Sequence, residues 1–160
     1  MVFIPPFPEN TVTKLLNSDI QLQMAGVDLT VSNVFSIPDG GTIDFSNEKR
    51  VIPSYDEIKR DDNYWQLEAG SYIVRFTEVI NIPLNAVGII LPRSSLLRIG
   101  ATIYSALWDP GYKGRGIGLL QSFVKIKILE NARIAQLILI KTDQTAHKTY
   151  NGVYQFEGTT

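Results

Sequence analysis

The 160-residue chain contains no cysteine, which excludes disulfides, thiolate metal sites and cysteine nucleophiles. Histidine is almost as scarce. His147 is the only one, in a polar run near the C-terminus, so a histidine-based zinc site or catalytic triad lacks its second imidazole or its context. An excess of either charge is also missing: 15 Lys+Arg against 16 Asp+Glu give a formal net charge of −1. A surface without a basic field is not built for polymeric nucleic acid. No run approaches the ~18 consecutive apolar residues of a membrane-spanning helix, and the N-terminal MVFIPPFPEN is proline-rich without a basic n-region. These absences predict a soluble cytoplasmic protein, and a chain of this length buries roughly 70% of its unfolded surface as one domain.

From Tyr72 onward the sequence runs YIVRF, VINIPL, VGIILP, ATIYSALW, IGLL, FVKIKIL and IAQLILIK, separated by Gly, Pro, Asn and Asp. Short β-branched runs with such punctuation predict an all-β sandwich or barrel. Within an N-terminal arm, residues 1–24, the segment 11–18 (TVTKLLNS) follows Asn10 as an N-cap candidate and predicts a two-turn helix. The charged stretch 46–65 reads as a solvated hairpin or loop, and 141–160 as a flexible tail whose Tyr154 and Phe156 give it something to dock with, as a lid does. The whole chain, 1–160, reads as a single domain.

Three places carry candidate chemistry. Arg93, Ser94, Ser95 and Arg98 put two guanidinium forks and two hydroxyls within six residues after Pro92, a set that suits a polyphosphate or makes an ordinary turn. Asp109 stands where an apolar run ends, beside Trp108 and before Pro110-Gly111; a carboxylate held there can take a proton from water, and Asp-Pro-Gly is also strong turn chemistry. Tyr112, in the same glycine-rich turn, either stacks on a base or sugar or folds back on the core. Gln136 interrupts an apolar strand and needs a partner if buried: a phosphate, a metal-bound water or a backbone group of the next strand.

Taken together, AGVDL (25–29), PRSSL (92–96), DPGYKG (109–114) and RIAQL (133–137) resemble, in order, the four motifs of the superfamily that joins trimeric dUTPases with dCTP deaminases, and YNGVYQFEG (150–158) is similar to its aromatic, glycine-containing C-terminal lids. The resemblance implies a distorted β-barrel or jelly roll assembling as a homotrimer with sites between subunits. It implies a dUTP diphosphatase yielding dUMP and pyrophosphate. Asp109 would activate water. Arg93, Ser94, Ser95 and Arg98 would hold the triphosphate, Tyr112 would pack on the deoxyribose, and Gln136, Tyr154 and Gln155 would complete the substrate contacts. Asp28 and Gln136 would reach waters of a Mg²⁺ carried by the phosphates.

RSSLLR and DPGY lean toward the deaminase branch of that superfamily. Those deaminases, however, use a glutamate about ten residues after the DPG aspartate, and here the strand reads GRGIGLLQSF, with Leu119 and Leu120 in its place. Neither leucine can transfer a proton. Diphosphatase activity is therefore the expectation. The alternatives are a dCTP deaminase, a bifunctional enzyme, or a nucleotide-binding regulator without turnover.

Overall fold

The computed structural model describes residues 1–159. Twelve strands and two short helices follow one another: β1 (Val12–Thr13), α1 (Ser18–Gln21), β2 (Val27–Ser36), β3 (Asp56–Glu57), β4 (Tyr64–Leu67), β5 (Gly70–Phe76), β6 (Val79–Asn81), β7 (Ala86–Pro92), α2 (Ser94–Arg98), β8 (Ala101–Tyr104), β9 (Lys113–Gly114), β10 (Ile117–Ser122), β11 (Ile126–Leu129) and β12 (Arg133–Lys141). The main antiparallel sheet runs β7-β12-β2-β5-β10-β8, with β3 beside β2. Its outer strands β7 and β8 come back into contact, so the sheet curls into a nearly closed barrel. Two small sheets, β1-β6-β9 and β11-β4, lie against it.

The side chains inside the barrel follow strand alternation. On β12, Ala135, Leu137 and Leu139 are fully buried; they meet Leu29, Phe76, Ile103 and Leu120 from other strands in one continuous core. The opposite faces of β7 and β12 are also apolar: Val87, Ile89, Leu91, Ile138 and Ile140 point outward, half-buried except for the exposed Leu91. Among the described residues no helix is long and apolar enough to cross a membrane.

The N-terminal helix forms later than the segment 11–18 suggested. Val12 and Thr13 instead pair with Ile80 and Val79, because two β-branched residues suit a strand better than a helix. Asn10 is left-handed, with φ of 62°, and it is Asn17 that caps α1 by accepting a hydrogen bond from the Ile20 N–H at 3.2 Å. The stretch 46–65 is mostly loop, closed by an exchange of backbone bonds between Thr42 and Val51 and ending in the start of β4.

Candidate functional site

Two half-sites emerge from the strand register. At the first, β2, β12 and β7 lie side by side, with Gln136 opposite Asp28 on one side and Leu91 on the other. Arg93, just past the end of β7, is held by its own N–H to the Ile134 carbonyl at 3.0 Å. Its Nε then lies 2.9 Å from Asp28 Oδ2, and Arg133 Nη1 approaches the same oxygen at 3.0 Å. Gln136 Nε2 donates to Asp28 Oδ1 at 3.3 Å.

Asp28 is 0% exposed, so this carboxylate works inward, as the fixed point that orients two guanidiniums toward the surface. Burial pushes its pKa up, while Arg93, Gln136 and Arg133 pull it back. Ser94, Ser95 and Arg98 form one turn of helix beyond Arg93, with their side chains exposed. Behind this edge, buried Glu78 accepts hydrogen bonds from Gln21 Nε2 at 2.6 Å, Thr30 N–H at 3.0 Å and Thr30 Oγ1 at 2.8 Å. Gln21 Nε2 also donates to the Asp28 carbonyl at 3.0 Å, which ties α1 to the aspartate's backbone.

The second half-site is the turn after Trp108. Tyr112 N–H donates to the Asp109 carbonyl at 3.0 Å, and Gly111, at the third position, has φ of 82°. With Pro110 second, this is a type II turn, which needs the glycine. Asp109 is therefore exposed at the first position of a rigid turn. Tyr112 folds inward, 4% exposed, stacked on Trp108 with ring centroids 6.0 Å apart and meeting Tyr150 edge-on at 5.7 Å. Burial, with Glu157 and Tyr150 nearby, pushes its phenol pKa well up and keeps it neutral.

Asp109, Trp108 and Tyr112 line a cavity of about 570 Å³, walled also by Ile73, Tyr104, Leu107 and Leu119. Leu119 projects into it from β10, so the strand that follows the turn brings no acid. The C-terminal segment of the same chain closes one side. Phe156 N–H donates to the Lys113 carbonyl at 2.7 Å and Arg115 N–H to the Glu157 carbonyl at 2.8 Å, in the manner of an added strand. Gln155 accepts from Lys113 N–H at 2.9 Å and donates to the Gly111 carbonyl at 2.9 Å. Its amide is thus spent on docking the tail, while Tyr154 and Glu157 face the cavity. Burial raises the Glu157 pKa, and Arg75 opposes the shift.

Asp28, Arg93 and Gln136 are thus gathered at one place, and Asp109, Tyr112 and Tyr154 at another. No residue lining the cavity belongs to the Asp28 cluster. Arg93 follows Gly88, the backbone partner of Trp108, by five residues along β7, a separation of about 17 Å at ~3.4 Å per strand residue. Arg133, Glu78, Trp108 and Glu157 take part without having been singled out as site residues. For Arg133 the signal was its place at the head of RIAQL; for Glu157, its being an acid within an aromatic tail. Among the described residues no group of three His, Cys, Asp or Glu can hold an ion, so the donor set does not fit a resident metal.

Residues 9–142 match the dCTP deaminase-like family. A protein of Methanocaldococcus jannaschii named deoxyuridine 5'-triphosphate nucleotidohydrolase is 47% identical over 137 residues, covering 84% of this chain and 87% of its own. A Methanosarcina mazei protein named probable deoxyuridine 5'-triphosphate nucleotidohydrolase is 38% identical over 158 residues, covering 97% and 90%. Among solved structures, the dCTP deaminase of Agrobacterium tumefaciens superposes with a TM-score of 0.58 at 17% identity over 81% of this chain, which spans 43% of that deaminase. A variant of the Staphylococcus bacteriophage 80alpha dUTPase superposes with a TM-score of 0.52 at 16% identity, covering 89% and 97%. Both likenesses show the shared fold. The chain belongs to the dCTP deaminase-like family, as an archaeal-type homologue of the dUTPases, and is a hydrolase.

Proposed function

We propose that the protein is a cytoplasmic dUTP diphosphatase that cleaves Mg²⁺-bound dUTP to dUMP and pyrophosphate. The observation that carries the reading is the cavity's pairing of an exposed Asp109 on a rigid turn with Leu119 on the next strand. Water loses its proton to Asp109 and attacks the α-phosphorus, the α–β anhydride bond breaks, and pyrophosphate leaves. Tyr112 and Tyr154 line the nucleoside end. Arg93, Ser94, Ser95 and Arg98 hold the phosphates, with Arg93 oriented by Asp28. Magnesium arrives as part of the substrate, its waters within the reach of Gln136. Asp28, closed off by its own partners, serves the ion only through the side chains it orients.

A hairpin and a phosphate edge about 17 Å apart along β7 make a site more readily from two chains than from one. The outward apolar faces of β7 and β12 support the homotrimer that this requires. One observation favours a second reading, dCTP deamination: Glu157 brings a carboxyl to the cavity from the tail, where it can shuttle a proton that Leu119 cannot.

Incubation with Mg²⁺ and dUTP or dCTP, followed by chromatography, pyrophosphate and ammonia assays, tests both. The expected result is dUMP and pyrophosphate from dUTP, with dCTP intact. Asp109→Asn should retain nucleotide binding and lose roughly 10²–10⁴-fold in kcat, the usual contribution of a positioned base. Ammonia from dCTP would move the function to deamination, and no turnover of either nucleotide would reduce it to binding.

A further inference from the structure

We infer that Trp108 is a positioning residue for the proposed hydrolysis, holding Asp109 through backbone bonds to Gly88 and a ring slot opened by Gly116; the inference rests on the dUTP reading above. Among the described residues no hydrogen bond or ion pair reaches the Asp109 carboxylate, so its place comes from the backbone alone. That backbone is fixed one residue earlier. Trp108 N–H donates to the Gly88 carbonyl at 2.8 Å, and Gly88 N–H donates to the Trp108 carbonyl at 2.9 Å.

The indole is clamped as firmly as the chain. Phe76 meets it edge-on at 6.3 Å and Tyr112 stacks on it at 6.0 Å. A Cβ added at Gly116 would lie 2.5 Å from Trp108 Cζ2 and 3.1 Å from both Cε2 and Cη2. The benzo ring therefore fills the space that a side chain at 116 would take. Trp108 is 7% exposed. With this ring locked inward, the next residue is turned out onto the cavity rim. A displacement of about 1 Å at a reacting group costs roughly 10² in rate, so the fit of this ring sets how well Asp109 meets its water.

The experiment compares Gly116→Ala, Trp108→Phe and the double variant with wild type and Asp109→Asn, using steady-state pyrophosphate release from Mg²⁺-dUTP and thermal unfolding as the folding control. Gly116→Ala presses a methyl on Cζ2 and is expected to lower kcat about 10–100-fold with the KM for dUTP within about threefold. Trp108→Phe removes Cζ2 and lowers kcat by the same route. In the double variant the phenyl leaves room for the methyl, so kcat returns to that of Trp108→Phe alone. Wild-type kcat in both single variants, a rise in KM matching the loss in kcat/KM, or losses that multiply in the double variant would each overturn the positioning role. If Gly116→Ala does not fold, wild-type kcat or a matching rise in KM in Trp108→Phe, or a double variant that is slower than Trp108→Phe alone, overturns the role. An inactive wild type would instead sink the hydrolase reading, which keeps the two failures apart.

Discussion

Gly111 is the residue where the turn that presents Asp109 and the tail that closes the cavity depend on the same missing side chain. Gly111→Ala forces an L-residue to φ of 82° and places its Cβ 1.9 Å from Thr149 Oγ1 and 3.0 Å from Thr149 Cβ. The left-handed backbone costs about 1–2 kcal/mol and overpacking about 1–3 kcal/mol more. The sum, about 2–5 kcal/mol, lowers Tm by roughly 4–20 °C for a chain of this size. A Thr149→Gly background separates the two parts, because it removes both atoms and leaves only the Cα, at 3.2 Å. There the same substitution should cost only the backbone share, about 1–2 kcal/mol. Urea unfolding of the four proteins gives the coupling directly, with about 1–3 kcal/mol expected. Equal costs in the two backgrounds would refute the packing argument, and a neutral Gly111→Ala would refute the turn as well.

Three further outcomes concern Arg93, the sharing of sites between chains, and the buried Glu78. On the proposed reading Arg93→Ala removes a charge-assisted phosphate contact worth about 1.5–3 kcal/mol, so dUTP should weaken about 10–100-fold and dUMP much less; equal losses would take Arg93 off the phosphates. Mixing Arg93→Ala chains with Asp109→Asn chains should restore part of the activity if neighbouring chains share each site. Glu78→Gln turns an amide N–H₂ toward the donors of Gln21 and Thr30 and should cost about 1–3 kcal/mol. Burial holds the folded pKa of Glu78 above its ordinary value. Its contribution to stability is therefore fully present below about pH 4.3 and is lost as pH rises through the raised value. Wild type should thus exceed Glu78→Gln by more at acid pH than at neutral pH in urea unfolding, and a pH-independent difference would contradict the burial argument.

The barrel was legible because its strands are short β-branched runs with Gly, Pro and Asn between them, a local signal. The Asp109 turn was legible for the same reason, since Pro110-Gly111 spells the type II geometry that is found. The N-terminal helix was placed too early because Val12–Thr13 has a strand partner, Val79–Ile80, that lies far away in the chain. Gln136 announced only that it needed a partner. That the partner is Asp28 depends on the register between β2 and β12, which no local pattern encodes. Arg133 was obscured further, because the ladder is irregular between Arg133 and Ala135, so its reach to Asp28 does not follow from alternation.

The division of the chemistry between two ends of β7 gives these separate observations one physical cause. At Gly88 the strand has no side chain and can exchange backbone bonds with Trp108 beneath an indole ring, which anchors the turn bearing Asp109. At Pro92 the strand runs out, and Arg93 turns back to Ile134 and Asp28. Pairing with β12 from Ala86 to Pro92 makes the segment between them rigid. If Asp109 is the base and Arg93 the phosphate clamp, as proposed, two groups tied to one rigid strand cannot slide toward each other. On the proposed reading a single triphosphate engages the base of one chain and the clamp of another, and the apolar outward faces of β7 and β12 offer a surface for such a meeting of chains. Under the proposed reading, turnover and assembly are therefore linked by geometry, and a variant that weakens contact between chains should lose activity while its own barrel stays folded.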